Sequence, residues 1–146
     1  MKKINIKASL LLLYIMPSKS DINKAFNKLF FDFLDDIVSI YPDNKEISTS
    51  RTSFMSFKQM NPTIIIKSWY KFVYLPYTDV ITAGDISFFF NKDYSADLQN
   101  TPGSKEIMRV IDEIRAPIQA MDDVNKKHSA DYIFKLSKLS EIYGSM

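Results

Sequence analysis

A single histidine, His128, limits the acid–base and metal chemistry open to this chain. A Ser-His-Asp relay would have to be built around it, a site needing two imidazoles is excluded, and its neighbours Asp123 and Asp131 could complete a metal or acid–base cluster. A polar layer in a helix interface, or plain exposure, explains His128 better than a cluster does. Paired carboxylates occur as Asp35-Asp36 and Asp122-Asp123. Neighbours on a helix point about 100° apart, so these pairs read as solvated faces rather than proton-sharing dyads. The absence of cysteine removes thiol nucleophiles, disulfides, zinc fingers and iron–sulfur clusters. Phosphate-cradling, dinucleotide, metalloprotease, nucleophile-elbow and EF-hand patterns are missing as well. The expectation is a chain that is not an enzyme and that uses no cofactor and no metal.

The other chemistry is aromatic. Nine aromatic residues fall within positions 67–94, "KSWYKFVYLPYTDVITAGDISFFFNKDY". They could form a stacking surface for bases, a membrane contact or the middle of a core. On a helix they divide: Trp69 and Phe72 share the face of Ile65 and Val73, which should be buried. Tyr70 and Tyr74 lie one turn apart beside Lys67 and Lys71. Only that second stripe is free to stack, and stacking is worth about 1–3 kcal/mol per base. A tyrosine–lysine stripe also suits a protein interface or the rim of a core, since tyrosine tolerates one wet end. Phe88, Phe89 and Phe90 are consecutive, so at least one must meet a second surface.

A chain of 146 residues fits one domain. The apolar content of 46% and charged content of 25% are those of a globular protein. Only three glycines are present, which disfavours tight hairpins and phosphate loops and favours helices. A net charge of +2 is too small for a duplex-binding protein. The first thirty residues are nonetheless basic, with six lysines against Asp21. "MKKINIKASLLLLYIMPSKS" has the grammar of a secretory signal, but its nine-residue apolar run reaches only about 14 Å and cannot span a membrane. Two plainer readings outweigh secretion: the run packs on the domain as a strand or short helix, or translation begins at Met16. Residues 1–19 are taken as an arm and 20–146 as the domain.

Periodicity predicts the elements. Ile22, Phe26, Leu29, Phe30, Phe33, Leu34 and Ile37 recur at spacings of three and four, predicting a helix capped by Ser20 or Asp21 and stopped at about Tyr41 by Pro42. Asn23, Lys24, Asn27, Lys28, Asp32, Asp35 and Asp36 fall on its other face. "KEISTSRTSFMSF" reads as a loop entering a short helix at about Thr52–Met60, ended by Asn61. Pro62 opens a helix whose face carries Ile65, Trp69, Phe72, Val73 and Pro76, with Pro76 ending or kinking it. Gly84 reads as a C-cap, Asp85 as an N-cap, and 92–104 as a loop. From Ser104, read as an N-cap, Ile107, Ile111, Ile114, Ile118 and Met121 step at heptad spacing. Pro117 should bend this run, and Ile133, Leu136, Leu139, Ile142 and Tyr143 complete a last amphipathic stretch. The fold expected is mainly all-α, a compact single-domain bundle of about four to six helices with a Pro-interrupted C-terminal helical hairpin or long helix.

"FFDFLDDIVSIYPDNKEI", with "NPTIIIKSWYKFVYLPYTDVITAGDISFFFNKDY" after it, resembles a family of short proteins from large DNA viruses of algae and protists. The resemblance covers about residues 26–98. It implies a viral product, carried in the particle or acting in the host cytoplasm, and brings no catalytic motif with it.

Together these readings predict a protein-binding module, a virion-associated or assembly component, contacting viral structural proteins or a second copy of itself. The contact residues expected are Trp69, Tyr70, Tyr74, Phe88, Phe89 and Phe90, with the heptad face from Ile107 to Met121 as a second surface. The alternative is a nucleic-acid-associated factor using Lys67, Tyr70, Lys71 and Tyr74 with the basic arm.

Overall fold

The first helix begins where a serine can hold its open end. Ser18 is extended, and its Oγ accepts the Asp21 N–H at 3.1 Å, so α1 runs Lys19–Ile40. The cap therefore sits two or three residues earlier than predicted, inside the stretch given to the arm. The computed structural model describes residues 18–85 and 104–146, and of 104–108 and 111 the backbone alone. The arm before Ser18, Phe88–Phe90 and the loop predicted over 92–103 lie outside the described residues.

All seven apolar positions predicted for the core face of α1 are buried. Phe31, Asn23 and Asn27 are buried too, because α2, α3 and α6 all pack on this helix. The assignment of the two asparagines to the solvated face is thus corrected. Their Nδ2 groups both donate to the Pro62 carbonyl at 3.0 Å, tying α1 to the turn that opens α3.

Helix α2 spans Lys45–Met60, a full turn and more longer than the Thr52–Met60 expected. Asn44 makes the difference: its Oδ1 accepts the N–H groups of Glu46 at 3.0 Å and Ile47 at 3.2 Å. The serine- and threonine-rich run then satisfies its hydroxyls on the helix itself, Thr52 on the Ser48 carbonyl and Ser56 on that of Thr52. Only Ile47, Ser50 and Phe54 are buried, a stripe too narrow to announce a helix by periodicity. Asn61 closes α2 and receives the Thr63 N–H at 3.3 Å.

From Ile64 the chain changes its winding three times. Helix α3 (Ile64–Trp69) widens into a π turn over Tyr70–Tyr74, tightens to 3₁₀ over Leu75–Tyr77 and resumes as α4 (Thr78–Thr82). Pro76 accounts for this: its ring would collide with the Phe72 carbonyl four residues back, and widening the preceding turn relieves that contact. The Leu75 N–H accordingly bonds to Tyr70, five residues back. Ile65, Trp69, Phe72 and Val73 are buried as predicted, with Ile66 in addition. Pro76 is exposed, because the widened turn rotates the succeeding residues about the helix axis. Gly84, at φ +80°, ends α4: its N–H bonds to Ile81 and that of Asp85 to Val80, the paired closure of a Schellman end.

Helix α5 (Ser104–Gln119) and helix α6 (Asp123–Gly144) are separate elements. Pro117 weakens the end of α5, and Asp122, extended, caps α6 by accepting the Asn125 N–H at 2.8 Å. The Pro117 carbonyl accepts the Tyr41 hydroxyl at 2.8 Å. Of the heptad face, Ile114, Ile118 and Met121 are buried, and the side chains of Ile107 and Ile111 lie outside the described ones. As a second contact surface that face is corrected at its three described positions: they are spent on the core.

The described residues contain no strand, and the chain is an all-α single domain. Helices α1 and α6, each about 33 Å long, run antiparallel, with Lys19 over the Tyr143 ring at one end and Phe33 stacked on Tyr132 further along. Phe26, Phe30, Phe54 and Trp69 form the centre of the core, Phe30 lying 4.8 Å from Phe54 and 6.3 Å from Trp69. Each such ring contributes about 1.5–3 kcal/mol of burial. Among the described residues no helix is long and apolar enough to cross a membrane.

Candidate functional site

Two surface regions carry side chains with chemistry. The first is the π turn. Tyr70 and Tyr74 are half-buried, and their rings stack at 5.8 Å with 18° between planes. The stripe foreseen beside the lysines is therefore real, but it leans on α6. Gly144 lies under the Tyr70 ring so closely that a Cβ there would fall 2.4 Å from Cζ. Partial burial, then the Glu141 carboxylate, push the Tyr74 hydroxyl above its ordinary value. Lys67 and Lys71 are exposed beside this pair, the Lys71 ammonium lying 5.3 Å from the Phe72 ring centre. Leu75, half exposed at 52%, continues the surface, and Ile142 and Met146 are exposed in the last turn of the chain.

Trp69 takes no part in it. The residue is 2% exposed, and its Nε1–H donates to Ser137 Oγ on α6 at 2.9 Å. As a partner-contact residue it is corrected: it faces the core with Ile65 and Val73, and its one polar group is already matched. Phe88, Phe89 and Phe90 fall outside the described residues, so the surface stands on Tyr70, Tyr74 and Leu75.

Gly144→Ala tests how tightly Tyr70 is held. The added methyl must displace a ring fixed by its stack with Tyr74, for an expected loss of about 1–3 kcal/mol in urea unfolding. Truncating Tyr70 to alanine in the same background should remove most of that loss relative to Tyr70→Ala alone. An additive pair of losses would mean that the cost of the methyl does not arise from the Tyr70 ring.

The second region is a groove of about 250 Å³ between the C-terminal half of α1 and the start of α6. Phe33, Ile37, Met121 and Ser129 form its buried floor, and Asp36, Asn125, His128 and Tyr132 its polar rim. His128, one turn before Tyr132, is exposed at the mouth. Asp123 and Asp131 are exposed without gathering around it, and among the described residues no three His, Cys, Asp or Glu side chains are grouped to hold a metal. Of the adjacent carboxylates, Asp35 pairs with Arg51 while Asp36 accepts the Tyr132 hydroxyl, so each has its own partner.

Tyr132 reports the electrostatics of this groove. Partial burial first, then the Asp36 carboxylate and the more distant charges of Asp32 and Asp35, raise its hydroxyl far above the usual tyrosine value. The folded state thus keeps this proton while a tyrosine of the unfolded chain ionises near 10.0. Its stabilising contribution is complete below that pH and declines as pH rises beyond it. Wild-type protein should lose more stability between about pH 9 and pH 11 than Tyr132→Phe does. Screening by solvent keeps the difference small. Equal losses in urea titrations at the two pH values would show that the hydroxyl does not couple to folding.

The contacts at these two regions that sequence reasoning missed join residues far apart in the chain, Asp36 with Tyr132 and Gly144 with Tyr70, as does Ser50 with the Glu113 carboxylate at 2.9 Å elsewhere. Spacing within one helix carries no signal for them. Searches against family models, curated proteins and solved structures find no match to this chain.

Proposed function

We propose that this chain is a non-enzymatic module that binds another protein, and that it does so through the shoulder formed by Tyr70, Tyr74 and Leu75 against the last turn of α6. One observation carries the reading: a stacked, half-exposed tyrosine pair is continued by a half-exposed leucine. Tyrosines held by their neighbours supply contact area at little cost in side-chain entropy. The resemblance to proteins of large DNA viruses makes a virion-associated or assembly component the form proposed, acting in the host cytoplasm or the particle. Its partners are then viral structural proteins or a second copy of the chain.

Exposed Lys67 and Lys71 favour a second reading, a nucleic-acid-associated factor. Against it, the Tyr70 ring already meets Tyr74 and Gly144, and the Glu141 carboxylate sits against the Tyr74 hydroxyl, a charge that repels phosphate.

Affinity capture from the producing cell, half of it treated with nuclease, separates the two. A protein partner should survive nuclease, change little with salt and be lost on Leu75→Asp with Lys67→Glu nearly neutral. Binding that disappears with nuclease and falls steeply with salt would replace this reading with the nucleic-acid one.

A further inference from the structure

The groove between α1 and α6 carries an exposed acidic group, Asp36, that has no counter-cation among the described residues. Along α1, Asp32 is paired with Lys28 at 3.2 Å and Asp35 with Arg51 at 2.5 Å. Asp36 holds only the Tyr132 hydroxyl, and among the described residues no lysine or arginine stands within ion-pair distance of it. It opens onto a cavity of about 250 Å³ whose floor is mostly apolar, with Phe33, Ile37 and Met121 beside Ser129, and whose rim also carries Asn125, His128 and Tyr132. Among the described residues no lysine or arginine lines this space, and Asp36 is its one carboxylate. Its size falls below the range of about 300–1,000 Å³ that holds drug-sized ligands, which leaves room for a short chain with one charged head.

We propose that this groove binds an alkyl-ammonium group, its charge on the Asp36 carboxylate and its methylenes on Phe33, Ile37 and Met121. Beyond partial burial, the Tyr132 proton is held by the Asp36 carboxylate and the more distant charges of Asp32 and Asp35, and that negative field acts at the same place. Such a group can come from a small free amine or from a lysine side chain of a partner. The proposal goes beyond the protein-contact reading and is independent of it: Tyr132 and Glu141 are about 13 Å apart along α6.

His128 supplies the measurement, because as the only histidine it gives a single imidazole signal by NMR in the full chain. n-Butylamine, adjusted to the buffer pH, should shift that signal saturably with a Kd of about 1–10 mM. n-Butanol should bind at least about tenfold more weakly and n-butyrate should not saturate at all. Asp36→Asn keeps an oxygen for the Tyr132 hydroxyl but removes the charge, and should weaken n-butylamine about tenfold or more. Asp79→Asn, which removes an exposed charge on α4, should leave it unchanged. The proposal fails if n-butanol matches n-butylamine, if no saturation is reached by about 100 mM, or if Asp79→Asn weakens binding as much as Asp36→Asn. The comparison of ligands on wild-type protein decides the matter even where a variant does not fold. Tighter binding of a doubly capped lysine than of n-butylamine identifies a partner side chain as the source, and weaker binding a free amine.

Discussion

Phe30→Ala is expected to lower the unfolding free energy by about 3–5 kcal/mol, the largest loss of any single truncation in this fold. The residue is fully buried, and its ring meets those of Phe26, Phe31, Phe54 and Trp69. Three helices, α1, α2 and α3, therefore lose their common contact at once, and the rigid rings around the cavity cannot close on it. Urea unfolding monitored by circular dichroism measures the loss. A cost below about 1.5 kcal/mol would mean that the surrounding aromatics repack, and the view of Phe30 as the point where α1, α2 and α3 join would have to be given up. Domains hold only about 5–15 kcal/mol in total, so a loss of this size takes a fifth or more of it.

The second large effect rests on one hydrogen bond. Ser137 is 1% exposed, and its Oγ accepts the Trp69 indole N–H at 2.9 Å across the α3–α6 contact. Ser137→Ala removes little volume but leaves a buried donor without an acceptor, for an expected loss of about 1–3 kcal/mol. Trp69→Phe removes the donor too, so it should cost less in the Ser137→Ala background than in wild type. Trp69→Phe removes the only tryptophan and with it the indole emission, so circular dichroism follows the urea unfolding of all four proteins. Additive losses would show that the bond contributes nothing beyond the packing on either side of it.

Much of the architecture was legible because it rests on local rules. The three- and four-residue recurrence from Ile22 to Ile37 located α1 and its buried face, and Pro42, Asn61 and Gly84 marked ends that the backbone then realised. Legibility failed where local preference was weak or overridden. The serines and threonines of α2 look like turn formers, yet the Asn44 cap and i−4 hydroxyl bonds carry them into the helix. Asn23 and Asn27 look solvated, yet the Pro62 carbonyl gives both a partner inside. Their Oδ1 atoms find none among the described residues, which is where a buried water would serve. Trp69, an aromatic bid for a partner surface, was claimed by Ser137, 68 residues away along the chain but adjacent in space.

The sequence by itself determined the helical fold class and ruled out thiol chemistry and any site with two imidazoles. Absence of cysteine, one histidine and few glycines are facts of composition that no folding can change. Helical period and capping residues act over a few positions and so declare themselves in the chain. Only the tertiary structure decided which polar groups face one another. The Tyr70–Tyr74 stack rests on Gly144, the Asp36 carboxylate meets Tyr132, and the groove that Asp36 and Tyr132 share with His128 exists because α1 and α6 lie antiparallel. Those pairings depend on the relative placement of whole helices, set by burial of the shared core. Burial is a non-directional force that many sequences satisfy, and it leaves no local mark of which distant residue it will bring alongside.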